Sequence, residues 1–164
     1  MTRKLCAICY ALLILLSCNS DDNGKTIDCA AVLCAAADNT IYLKFSSPDK
    51  EVDLIENGDI DTNLMTIVNE QNDEISFTVE TYPDMGIYLA IPVATNTFGP
   101  KHFTINFEEG DSFTINFETS FSEGGECCGP YTILEAYEID NYSFDLIEPS
   151  PLPVLNTVYI PNLN

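Results

Sequence analysis

Tryptophan is absent from the 164 residues, histidine occurs once, and basic side chains are scarce. Six Lys and Arg stand against 26 Asp and Glu, for a formal charge of −20. Such a chain is repelled by phosphate backbones and by anionic headgroups, so nucleic acid and direct headgroup binding are poor readings. Divalent cations and basic or neutral partners are compatible with the charge, and much of it serves solubility. Catalytic signatures are missing as well: no G-x-S-x-G, H-E-x-x-H, P-loop or dinucleotide fingerprint occurs. The lone His102 lies beside Lys101 at the edge of an apolar–polar alternation with no recognisable nucleophile, which reads as structural. No catalytic residue is assigned, and the expectation is a non-enzymatic protein.

The apolar run Leu5–Leu16 follows a short basic segment, Thr2-Arg3-Lys4. It has the length of a signal-peptide core and is too short to cross a bilayer, which takes about 20 apolar residues. The segment Leu15-Leu16-Ser17-Cys18 that follows resembles the lipobox of bacterial lipoproteins, in which the cysteine thiol takes a diacylglycerol. The resemblance implies a signal peptide over 1–17 and a lipidated Cys18 carrying fatty acids such as palmitate. Two or three acyl chains hold a protein firmly on its membrane, whereas one binds reversibly. Cleavage there removes Arg3 and Lys4 with the first 17 residues, leaving 147 residues with a charge of −22. That length suits one domain with a sizeable core. Residues 18–28 are polar and without apolar periodicity, a flexible tether. Asp21-Asp22 within it resembles the export signal of some Gram-negative outer-membrane lipoproteins, and equally suits an acidic linker.

Four cysteines then remain: Cys29, Cys34, Cys127 and Cys128. An even number in an exported domain implies disulfides, with three connectivities open. Joining the adjacent Cys127 and Cys128 would need a strained ring that closes almost nothing, so Cys29 and Cys34 are each expected to pair with one of them. On chain-entropy grounds the first such bridge contributes about 4 to 5 kcal/mol and the second less. Zinc held by the four thiolates is the rival reading, weakened by the missing C-x2-C spacing.

The dominant period of the mature chain is two. Phe103-Thr104-Ile105-Asn106-Phe107-Glu108 recurs at Phe113–Glu118 around Glu109-Gly110-Asp111-Ser112, which predicts a hairpin with its Phe and Ile residues on the core side. Ile75–Glu80 alternates in the same way, and Ile41–Phe45, Glu51–Ile55, Leu64–Asn69 and Gly86–Pro92 are further strand candidates. A second tight hairpin is expected at Asp140-Asn141, between Tyr131–Ile139 and Tyr142–Ile147. Short strands at this spacing predict an all-β fold, an antiparallel β-sandwich of immunoglobulin-like or transthyretin-like kind, over residues 29–148. The alanine-rich Cys29–Ala37 is a candidate short helix, stapled by the disulfides. The Pro-rich segment 149–164 is expected to be extended, with Asn156–Ile160 either a last edge strand or a loose tail.

Asp59, Asp61, Asn63 and Glu70 occupy positions one, three, five and twelve of an EF-hand loop, yet Leu64 stands where that loop requires glycine. A turn entering a strand is the plainer reading, and no cofactor is expected. An irregular structural Ca²⁺ site there or at Glu123-Gly124-Gly125-Glu126 is the alternative, by analogy with acidic loops on other sandwiches.

As a whole the chain resembles the small β-sandwich lipoproteins of Gram-negative outer membranes, through Leu15–Cys18, Asp21-Asp22, the two cysteine pairs and the strand-rich pattern. The resemblance implies a lipid-anchored outer-membrane location, with cell-surface exposure as one option, and implies no activity. Two function classes follow. The first is a binding or structural accessory module with an envelope protein or glycan as partner, marked by an exposed aromatic patch among Tyr82, Tyr88, Tyr131, Tyr137 and Tyr142. Core packing is the alternative fate of most of these tyrosines. The second class is a glycan hydrolase with paired carboxylates about 5 to 9.5 Å apart, or a Ca-dependent adhesion module.

Overall fold

A computed structural model describes residues 29–32, 34, 38–49, 52–107, 110–145 and 150–161. The signal segment expected over 1–17, Cys18 and the tether expected over 18–28 lie outside them. The chain divides into two units, Met1–Ala31 and Val32–Asn164. In the first, the described part is a single 3-10 turn over Cys29–Ala31. The helix expected over Cys29–Ala37 is therefore corrected: Val32 and Cys34 are not helical, and 33 and 35–37 lie outside the described residues. Without a longer run of main-chain bonds, an alanine-rich segment of this length cannot offset the cost of nucleating a helix.

The second unit is an all-β sandwich of two five-stranded sheets. Sheet I has the order β3-β4-β1-β10-β8, and sheet II the order β2-β5-β6-β7-β9. The strands are β1 Thr40–Ser46, β2 Thr66–Asn69, β3 Thr78–Tyr82, β4 Gly86–Pro92, β5 Gly99–Asn106, β6 Ser112–Ser122, β7 Tyr131–Ile139, β8 Ser143–Phe144, β9 Ser150–Pro151 and β10 Val154–Tyr159. Cys34 is joined to Cys128 across 94 residues, with Cα atoms 5.4 Å apart. Cys29 is disulfide-bonded, and so is Cys127.

Alternation dictates the core. Ile41, Leu43 and Phe45 of β1 are fully buried, and so are Leu89 and Ile91 of β4. The repeated hexapeptide forms the expected hairpin, with Phe103 opposite Ile115 and Ile105 opposite Phe113, all four buried. Phe113 stacks on Phe107 at 5.7 Å and meets Phe45 of the facing sheet edge-on at 6.2 Å, so aromatic contacts join the two layers. In β7 the alternation changes phase. The register shifts opposite Asn116/Glu118, Ala136 takes a φ of 48°, and Tyr137 and Ile139 turn inward after Leu134. A β-bulge has this effect because one extra residue on a strand inverts the facing of everything after it.

Three further expectations change. Asn156–Ile160 is neither an edge nor a tail: β10 lies between β1 and β8 and pairs with β1 in parallel, Ile41 opposite Val154 through Ser46 opposite Tyr159. Its inward residues Val154 and Val158 are buried, as is Ile160 just after it, and this burial draws it to the middle of the sheet. The second hairpin also does not form among the described residues. Asn141 has the expected positive φ of 72°, but β8 leaves sheet II and pairs with β10. The turn is a corner between sheets, because Tyr142 packs edge-on against Phe113 and Phe144 against Tyr137. Finally, Glu51–Ile55 is no strand among its described residues. Asp53 makes one bridge to Ser46, and then its carboxylate accepts the N–H groups of Ile55 and Glu56, each at 3.1 Å, which bends the chain into a turn.

Three polar side chains inside this framework have contrasting consequences. The second Asp53 oxygen accepts the Ile87 N–H at 2.9 Å and lies 3.9 Å from Lys44 Nζ, so one buried carboxylate ties β1, β4 and the intervening turn together. Gly86, at φ 106°, makes room for it: a Cβ there would stand 2.6 Å from that oxygen. Asn156 and Tyr137, by contrast, are buried without a protein hydrogen-bond partner for the amide or the hydroxyl. Burial pushes the Tyr137 phenol up.

Asp53→Ala and Gly86→Ala are each expected to cost about 3 kcal/mol through lost charged hydrogen bonds, a fall in Tm on the order of 10 °C. Thermal melts that stay within a degree of the parent would remove Asp53 from this role. The double change Tyr137→Phe with Asn156→Leu is expected to raise stability by roughly 1 to 3 kcal/mol, because it relieves both unpaired groups at once. A lower urea midpoint for that variant would show that the polar pair contributes net stability.

Candidate functional site

The alternation that buries Ile41, Leu43 and Phe45 turns Thr40, Tyr42 and Lys44 to the outer face of sheet I. Tyr42 sits opposite Ala90 of β4, and Ala90 sits opposite Thr78 of β3, so these three share one row across the sheet. In the neighbouring row Glu80 faces Tyr88. Tyr82 meets Tyr42 edge-on at 6.0 Å and Tyr88 edge-on at 5.6 Å. Tyr42, Tyr88 and Ala90 are buried with Tyr82 packed against them, an apolar cluster separate from the core between the sheets.

Carboxylates fix the hydroxyl groups of this patch. Tyr42 donates to Asp38 Oδ2 at 2.8 Å, and Thr40 donates to Asp38 Oδ1. Tyr82 donates to Glu80 Oε2 at 2.7 Å, and Thr78 donates to Glu80 Oε1 at 3.4 Å. Burial, then the Asp38 hydrogen bond, push the Tyr42 phenol well above its ordinary value. The Glu80 hydrogen bond raises Tyr82, and burial with the nearby Asp53 charge raises Tyr88. A phenol is already protonated at neutral pH, and with these upward shifts Tyr42 and Tyr82 are the donors to Asp38 and Glu80.

The small Ala90 side chain leaves a concavity of about 380 Å³ beside Tyr42. Phe77, Pro92 and the Tyr42 ring give it apolar walls, Asp38 and Glu80 give it acceptors, and no basic side chain lines it. A second depression of about 460 Å³, lined by Tyr82, holds Lys44, Asp53 and Glu56. There Lys44 Nζ donates to the Met85 carbonyl at 2.7 Å.

The other residues singled out in the sequence fall elsewhere. Tyr137 is in the core, Tyr142 packs against it, and Tyr131 opens β7 in a half-buried position. Tyr82 and Tyr88 belong to the outer patch. Its remaining members Tyr42, Asp38 and Glu80 escape a sequence reading because only strand pairing unites them. His102 lies on β5 opposite Asn116, in a shallow depression whose lining has no Ser, Thr or Cys.

The acidic positions are engaged locally. Asp59 accepts from Asn57 Nδ2 at 2.8 Å, and Glu70 from Gln71 Nε2 at 3.1 Å. Asp61 Oδ1 accepts both the main-chain N–H and Nδ2 of Asn63, which lowers its pKa. Among the described residues no three Asp, Glu, His or Cys side chains gather as ligands would. In the loop after β6, Glu123 and Glu126 are exposed and the Gly125 N–H bonds the Cys128 carbonyl at 2.7 Å.

The fold and patch define a β-sandwich with an aromatic–acidic outer face. Comparison with protein-family models, curated proteins and solved structures returned no match. Because the acidic turns hold their own hydrogen bonds, Tm is expected to stay constant in millimolar Ca²⁺. A rise that EDTA reverses would reinstate a calcium site.

Proposed function

We propose that this chain is a non-enzymatic binding module of the bacterial cell envelope, anchored to the outer membrane by lipid on Cys18. The observation that carries the binding reading is the cluster of Tyr42, Tyr82 and Tyr88 on the outer face of sheet I, hydrogen-bonded to Asp38 and Glu80. The inner face already supplies the core that holds the sandwich together, so a half-buried Tyr82 resting on buried Tyr42 and Tyr88 on the opposite face, next to a concavity, supports reading that face as a recognition surface. The order of basic segment, apolar run and Leu15-Leu16-Ser17-Cys18 supports the anchor. Disulfide-bonded Cys29, Cys34, Cys127 and Cys128 fit an oxidising compartment. The tether 18–28 would hold the domain clear of the headgroups that its charge repels.

Cys18→Ala is expected to move the protein from the membrane to the soluble fraction and to abolish palmitate labelling. Unchanged label would refute the anchor. Reducing sugar released from envelope glycan by the purified protein would refute the non-enzymatic reading and turn attention to Asp38 and Glu80 as a carboxylate pair.

A further inference from the structure

We infer that the concavity beside Tyr42 receives a lysine or arginine side chain from an extended basic segment of a partner protein. This rests on reading the outer face of sheet I as a binding surface, and it names the chemistry that the surface recognises.

Three features select a cationic side chain. A Lys or Arg residue joins an apolar stem to a charged head, and the concavity has that division: Tyr42, Phe77, Ala90 and Pro92 for the stem, Asp38 and Glu80 for the head. Its volume of about 380 Å³ lies in the range of small-ligand sites, about 300 to 1,000 Å³. No basic side chain of the lining neutralises the two carboxylates, and Lys44 on the same face of β1 is committed to the Met85 carbonyl and Asp53. Aromatic walls add attraction for a cation near their rings. The charge of −20 draws basic partners in and repels acidic ones.

The position of the concavity selects a peptide over a free amine. It is lined on one side by Ser76, Phe77, Thr78 and Glu80, along the edge strand β3, which among the described residues pairs only with β4. Thr78–Tyr82 contains neither Pro nor Lys, the residues that commonly block an edge. An extended segment can therefore hydrogen-bond along β3 while one of its side chains reaches over the edge onto the face.

The test uses the mature, disulfide-bonded chain with Cys18→Ala, titrated with an extended peptide centred on arginine and with its citrulline counterpart. The arginine peptide is expected to bind at least tenfold more tightly, because the citrulline form loses a charged hydrogen bond. Asp38→Asn with Glu80→Gln, which keeps oxygen acceptors for the hydroxyls, is expected to weaken the arginine peptide by about tenfold or more at unchanged Tm. Glu138→Gln on sheet II, a change of charge away from the site, should leave affinity unaltered. Equal affinity for the two peptides overturns the cation assignment, and the surface reading survives that result if Tyr82→Ala abolishes binding of both. No binding of either peptide at millimolar concentration overturns both.

Discussion

The parallel pairing of β1 with β10 brings the first and last strands of the sandwich together in the middle of one sheet. A parallel pair cannot be closed by a tight turn, so everything between the two strands has to travel out and return. The intervening chain does so by building β3 and β4 on one flank of β1 and the whole of sheet II across the core. The register makes the closure worthwhile, because Ile41 meets Val154 and Phe45 meets Val158, with all four side chains facing inward. Contacts so distant in sequence cost loop entropy before they return any stability. The Cys34–Cys128 bridge, spanning 94 residues, lowers that cost by restricting the unfolded chain.

Asp53 illustrates how a charge serves such a closure. Its carboxylate is buried, yet two N–H groups of its own turn, the Ile87 N–H and Lys44 surround it. A buried charge satisfied in this way specifies a single geometry, since any shift of β4 would strand it. The aromatic face follows from the same strands. With odd-numbered residues of β1 committed to the core, Tyr42 has only the outside available, and the β3–β4 register brings Tyr82 and Tyr88 to it. Core and aromatic face are therefore opposite sides of one alternation. A change that slipped β1 by one residue would exchange them.

Local pattern was a good guide wherever one strand and its turn carried the whole signal. Gly86–Pro92 and Tyr131–Ile139 have the bounds that alternation predicts, and the repeated hexapeptide forms its hairpin around Gly110. Pattern failed where a side chain or a distant strand decided the matter. Glu51–Ile55 alternates well enough for a strand, but the Asp53 carboxylate captures the N–H groups of Ile55 and Glu56. Asp140-Asn141 turns as expected, but the rings of Tyr142 and Phe144 draw the chain to the other sheet. The site was legible only in part: Tyr82 and Tyr88 stood out as tyrosines, whereas Asp38, Tyr42 and Glu80 had no local mark.

The sequence by itself determined an acidic, strand-rich domain: the charge of −20 and the period-two pattern are properties of composition and spacing that no neighbour is needed to express. Only the tertiary structure decided which strands share a sheet, that β10 is interior, and that three tyrosines and two carboxylates meet on one face. Alternation tells which side of a strand is apolar, but strand partners are chosen by burial and register across the whole chain, and those energies do not exist until distant segments touch.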